Sequence, residues 1–142
     1  MITLQEALQS LPHGDEFRFV ESLDTLNPGV SATGSYLLRG DEVFLRGHFP
    51  GQPLMPAVLL VEAMAQVAGI AAQTDEVIPA MCNLRLTAIR SVKVYGAILP
   101  GERMEIEAEV LGRMGNLVLA SGRVTVEGRL LAEGQITLSG DA

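Results

Sequence analysis

The chain has 142 residues and a mass of 15.1 kDa, enough for one ordinary domain with a real core, so a single domain over residues 1–142 is expected. Apolar residues make up 48% of it, but aromatic residues only 4%, with no Trp, so Ala, Val, Leu, Ile and Met must fill the interior. A net charge of -7 and a pI of about 4.7 argue against nucleic acid and anionic membrane as partners, because both demand basic surface.

In chain order, Thr3-Leu4-Gln5-Glu6 has the form of a capping box, and Leu4, Leu8 and Leu11 fall near helical spacing until Pro12, which predicts a short opening helix. His13, following Pro12, reads as structural. Phe17, Phe19 and Leu23 alternate with polar residues up to Asn27-Pro28-Gly29, the pattern of a strand and turn, and Val30 to Leu38 is expected to pair back onto it. Gly40 to Pro56 holds Gly47, Pro50, Gly51 and Pro53 as well, too much punctuation for regular structure.

From Ala57 to Ala72 the chain is apolar on nearly every face, yet shorter than a membrane span and interrupted by Glu62, which predicts a buried helix entered at Pro56. Glu62, Gln66, Gly69 and Gln73 share one narrow stripe of it. Strands are expected after Pro79: Met81 to Ile89, Val92 to Tyr95, Met104 to Leu111, Leu117 to Val126 and Leu130 to Leu138. Hairpin turns are expected at Leu99-Pro100-Gly101, Met114-Gly115-Asn116 and Glu127-Gly128-Arg129. Glu105, Glu107 and Glu109 alternate with apolar residues, as in a sheet wet on one face. The sum is an α+β fold in which the sheet wraps the helix, with an edge strand that a second copy would cover.

Cys82 is the single cysteine, so no intrachain disulfide or thiolate metal cluster is available, and a small buried filler is expected there. The first residues lack the basic start and apolar stretch of a secretory signal, so the cytoplasm is the expected compartment.

His48 stands in the loop before the buried helix and is the natural general base near neutral pH. Glu62 sits on that helix in apolar surroundings, which suit a proton donor. Between them, the helix start at Pro56-Ala57-Val58 offers N–H groups and a positive dipole end to a carbonyl oxygen that gains charge. Base, acid and oxyanion site are what dehydration of a 3-hydroxyacyl thioester requires. Glu62 lies about 9 Å along the helix axis from its start, so spacing alone does not bring the two side chains together.

Gly47-His48-Phe49-Pro50-Gly51-Gln52-Pro53-Leu54-Met55-Pro56-Ala57-Val58-Leu59, followed by Glu62-Ala63-Met64-Ala65-Gln66, resembles the signature of the hot-dog-fold dehydratases that act on (3R)-hydroxyacyl groups carried on acyl carrier protein. Within the FabA/FabZ superfamily it is similar to the branch with glutamate, not aspartate, at the position of Glu62. Weaker similarity covers Leu11-Pro12-His13 and Val92 to Glu102. The resemblance implies a long helix wrapped by a curved antiparallel sheet, and a homodimer, with a trimer of dimers as the larger assembly to consider. It implies that His48 and Glu62 come from opposite subunits to one site. It further implies that Ala57, where the family usually has glycine, presents its N–H to the thioester carbonyl, and that Gln66 supports Glu62. Phe49, Pro56 and Val58 complete the substrate-binding residues. The carrier is acyl carrier protein or coenzyme A, and no cofactor or metal is implied. A thioesterase, or a silent acyl-binding subunit, are the other readings, the second kept open by Ala57. Arg85, Arg90, Lys93 and Arg103 are candidates for a basic rim toward an acidic carrier.

Overall fold

A computed structural model describes residues 2–45 and 54–141. Helix α1 (Leu4–Gln9) opens on the expected capping box: Thr3 accepts from the Glu6 amide, and Glu6 accepts from the Thr3 amide. Six strands follow, β1 (Ser22–Asn27), β2 (Ser31–Leu37), β3 (Cys82–Val94), β4 (Arg103–Met114), β5 (Leu117–Val126) and β6 (Arg129–Asp141), with helix α2 (Ala57–Gln73) between β2 and β3. All neighbours pair antiparallel in one sheet, in the order β1-β2-β4-β5-β6-β3.

Helix α2 is the core around which this sheet curves. Leu60, Met64, Val67 and Ala71 on it are at most 1% exposed, and they pack with Met104, Ile106, Val118, Ala120 and Val124 of β4 and β5. Alternation does the sorting in β4: Met104, Ile106 and Ala108 face the helix, and Glu105, Glu107 and Glu109 face solvent. The outer face carries a cross-strand charge row, in which Glu107 lies opposite Arg123, Arg123 opposite Glu133, and Glu133 opposite Lys93.

Several local expectations are corrected. Phe17 and Phe19 alternate but do not form a strand: Asp15–Phe17 is a single 3-10 turn, and β1 begins only at Ser22. Within Gly40 to Pro56, Val43–Leu45 forms another such turn. Pro56 caps α2 from outside instead of lying in its first turn. Met81 to Ile89 and Val92 to Tyr95 belong to one strand, β3, broken by irregularities near Asn83 and Ser91, both at positive φ. Ser91 marks a bulge opposite Gly134, and the side chain missing from Gly134 leaves room for Val92. The turn at Leu99-Pro100-Gly101 is no hairpin, since β3 pairs with β6 and β4 with β2. The other two turns are hairpins, and Glu127 (φ 50°) with Gly128 (φ 78°) has the left-handed pair that a tight two-residue connection needs.

The two sheet edges differ. β3 spans 13 residues and leaves Ile89, Val94 and the adjoining Tyr95 exposed. β1 spans 6 residues, presents Asp24 and Thr25 to solvent, and packs against α1.

Candidate active site

Glu62 stands in the second turn of α2, on the stripe shared with Gln66, Gly69 and Gln73, and all four line one cavity of about 390 Å³. Leu11, Pro12 and His13 border it from the segment after α1, and Leu84, Leu86 and Leu138 from β3 and β6. Beyond the exposed first turn, most of the remaining α2 side chains pack into the apolar core, and the stripe is where its polar side chains meet the cavity.

Gln66 fixes the geometry. It is 1% exposed, and its Nε2 donates to Glu62 Oε2 at 3.1 Å and to the Phe17 carbonyl at 2.7 Å. Its Oε1 accepts the Phe19 amide at 2.8 Å. This amide serves the backbone at Phe17 and Phe19 as a neighbouring strand would, which explains how the chain leaving the Asp15–Phe17 turn is held without being sheet. One side chain therefore holds both the acid and the segment packed over it.

His13, read from its place after Pro12 as structural, also reaches this group. Its Nε2 lies 3.4 Å from Glu62 Oε2, with side chains 26% and 19% exposed. The ring stacks on Phe17 with centroids 5.9 Å apart. Arg18 clasps the turn from below, donating from Nε to the His13 carbonyl at 2.7 Å and from an Nη to the Leu11 carbonyl at 3.1 Å. The Nδ1 of His13 is buried and has no partner among the described residues. The signal for this contact was the Leu11-Pro12-His13 similarity; nothing local pairs position 13 with position 62.

His48 and Phe49 lie outside the described residues. The chain on either side is anchored, with Leu45 and Met55 buried and the Met55 amide donating to the Ile98 carbonyl at 3.2 Å. Ala57 and Val58 are exposed at the start of α2, Val58 by 73%, and Pro56 is half-buried. No side chain caps this helix start among the described residues.

Cys82 is exposed and not a core filler, because it opens the edge strand instead of a central one. Of the proposed basic rim, Arg85, Arg90 and Lys93 share β3, whereas Arg103 starts β4, separated from β3 by β5 and β6, so the four do not gather on one protomer. Among the described residues no helix is long and apolar enough to cross a membrane.

A second polar cluster lies at the end of β2. Tyr36 donates to Glu42 at 2.9 Å, as do the amides of Arg39 at 2.9 Å and Gly40 at 2.8 Å. Burial pushes the Glu42 carboxyl up, but these donors outweigh it and hold the group below the ordinary carboxylate range. Burial and the neighbouring Glu42 push the Tyr36 hydroxyl up. Arg39 in turn pairs with Glu21. These groups tie the chain together ahead of residue 46.

The chain matches the FabA-like domain over residues 11–135. It is 35% identical over 136 residues to the 3-hydroxyacyl-acyl-carrier-protein dehydratase FabZ of Ruminiclostridium cellulolyticum, covering 96% of this chain and 95% of that one. It is 36% identical over 136 residues to the enzyme of the same name from Acetivibrio thermocellus, covering 96% and 92%. Among solved structures, the dehydratase heterocomplex ApeI:P from Xenorhabdus doucetiae superposes with a TM-score of 0.80 at 16% identity, over 100% of this chain and 93% of that one. Zebra fish thioesterase superfamily member 2 superposes with a TM-score of 0.72 at 18% identity, over 98% and 99%. The shared architecture is the hot-dog fold.

Proposed function

We infer that this chain, which belongs to the FabA-like domain family, removes water from (3R)-hydroxyacyl thioesters carried on acyl carrier protein, giving the trans-2-enoyl thioester in fatty acid synthesis. The observation that carries this reading is Glu62: an ionisable carboxyl held by Gln66 at one end of a cavity whose other walls are largely apolar.

The chemistry follows from the groups. An N–H at Ala57 stabilises negative charge on the thioester oxygen, which acidifies the adjacent C–H. His48 accepts that proton. Glu62 donates its own to the 3-hydroxyl, which leaves as water while the C2–C3 double bond forms. His48 returns its proton to solvent, and Glu62 regains one, restoring both groups. The acyl chain lies in the cavity beside α2.

His48 and Glu62 meet across a homodimer in this reading, joined at the β3 edge. The support is the length of that edge and its exposed Ile89 and Val94. The protein works as a cytoplasmic single-domain enzyme.

The test is hydration of a crotonyl thioester, followed by loss of its ultraviolet absorbance. Activity is expected, with His48→Ala abolishing it and Glu62→Gln costing at least about 10² in rate. Release of free thiol without hydration would identify a thioesterase instead, and neither activity would leave a silent acyl-binding subunit.

A further inference from the structure

The cavity beside α2 has a built end. Eleven residues beyond Glu62, about 16 Å along the helix axis, Gln73 closes the stripe. Its Nε2 donates to the Met81 carbonyl at 2.6 Å, and its Oε1 accepts the Met81 amide at 3.0 Å. This two-bond clasp ties the last residue of α2 to the residue just before β3, and both partners line the cavity. An apolar residue at position 73 would leave the Met81 backbone open; the amide turns the gap between helix and strand into a wall.

Between head and wall stands Gly69. A Cβ built there would lie 3.8 Å from Leu84 Cδ2 and meet nothing nearer. The glycine is therefore not demanded by close packing of helix on strand, and its effect is to leave the space between α2 and Leu84 open. A side chain larger than methyl would project into that space. Leu86 and Leu138 continue the apolar wall opposite.

We propose that the Gln73–Met81 clasp is the end wall of the acyl channel and the Gly69–Leu84 gap its gauge, so that these residues set the longest acyl chain the enzyme accepts. The proposal rests on the reading of this cavity as the acyl site. From Glu62 to this wall the stripe runs about 16 Å, and the clasp stands across the path of any acyl chain that extends further. Long chains are therefore the ones it rejects.

The test compares kcat/KM for 3-hydroxybutyryl, 3-hydroxydecanoyl and 3-hydroxyhexadecanoyl thioesters within each protein, so that a general loss of folded enzyme cancels from the ratios. Wild type is expected to favour decanoyl over hexadecanoyl by at least about tenfold. Gly69→Leu should lower the decanoyl-to-butyryl ratio by about tenfold or more. Gln73→Ala, which opens the wall, and Leu84→Ala, which widens the gauge, should each raise the hexadecanoyl-to-decanoyl ratio. Unchanged ratios in all three variants, with dehydration intact, would refute the end wall and leave the dehydratase reading standing. A wild type inactive on every length would instead overturn that reading.

Discussion

The Nε2 of His13 and the Oε2 of Glu62 stand 3.4 Å apart, and the same carboxyl oxygen accepts the Gln66 amide at 3.1 Å. A carboxyl held from two sides is oriented before substrate arrives, and that pre-organisation speeds a proton transfer. His13→Ala is expected to lower kcat by about tenfold, which corresponds to about 1.4 kcal/mol of lost stabilisation. His13→Gln, which keeps a donor for Glu62, should recover most of it. Steady-state kinetics on a 3-hydroxydecanoyl thioester decide the matter: an alanine variant with full kcat would mean that the contact is idle.

Gln66→Leu preserves volume but strands the Phe19 amide and the Phe17 carbonyl, both now served by one side chain. Leaving buried polar groups unpaired costs about 1–3 kcal/mol each. Urea unfolding should show the midpoint lowered accordingly, with activity reduced further because Glu62 loses its fixed partner.

Gly134→Ala tests the bulge in β3. The added methyl would fall 2.4 Å from Val92 Cγ2 and 2.5 Å from Val92 Cα, and since one of these is backbone, relief requires the strand to move. A loss of about 1–3 kcal/mol is expected, together with weaker self-association in sedimentation equilibrium. A variant as stable and as associated as wild type would show the bulge to be soft.

Acid should loosen the β2 end. Glu42 is held below the ordinary carboxylate range, so its stabilisation is complete above that range and fades as pH falls through the lowered folded value. Asp75, which accepts the Ile78 and Val77 amides, shifts in the same direction. Glu42→Gln should be less stable than wild type at neutral pH, and the difference should shrink as pH falls through and below the ordinary carboxylate range. Thermal melts across that span measure it; a gap that widens in acid would contradict the assignment.

The helix around Glu62 is legible in the sequence because Ala57 to Gln73 is apolar all round except for one stripe, which only an enclosed helix with one open strip explains. β5 is equally plain, since Leu117 to Val126 alternates between two turn signals and its bounds agree with the structure. Less legible is which strand lies at an edge: Cys82 has the same local pattern as a core strand, and its exposure depends on β3 being outermost in the sheet. Turn chemistry at Leu99-Pro100-Gly101 marks a reversal but not which strands it joins. Gln66 was read as support for Glu62, while its hold on Phe17 and Phe19, like the approach of His13, comes from tertiary packing across some fifty positions of chain. His48 itself lies outside the described residues, so the base rests on motif and chemistry.

The unlike borders of the sheet bear on how copies add together. The β3 margin is long and exposes Ile89 and Val94 among Arg85, Arg90 and Lys93, whereas the β1 margin is brief and packs against α1. If two copies join at β3 as proposed, only the two short β1 margins stay open, which leaves little edge for further strand annealing.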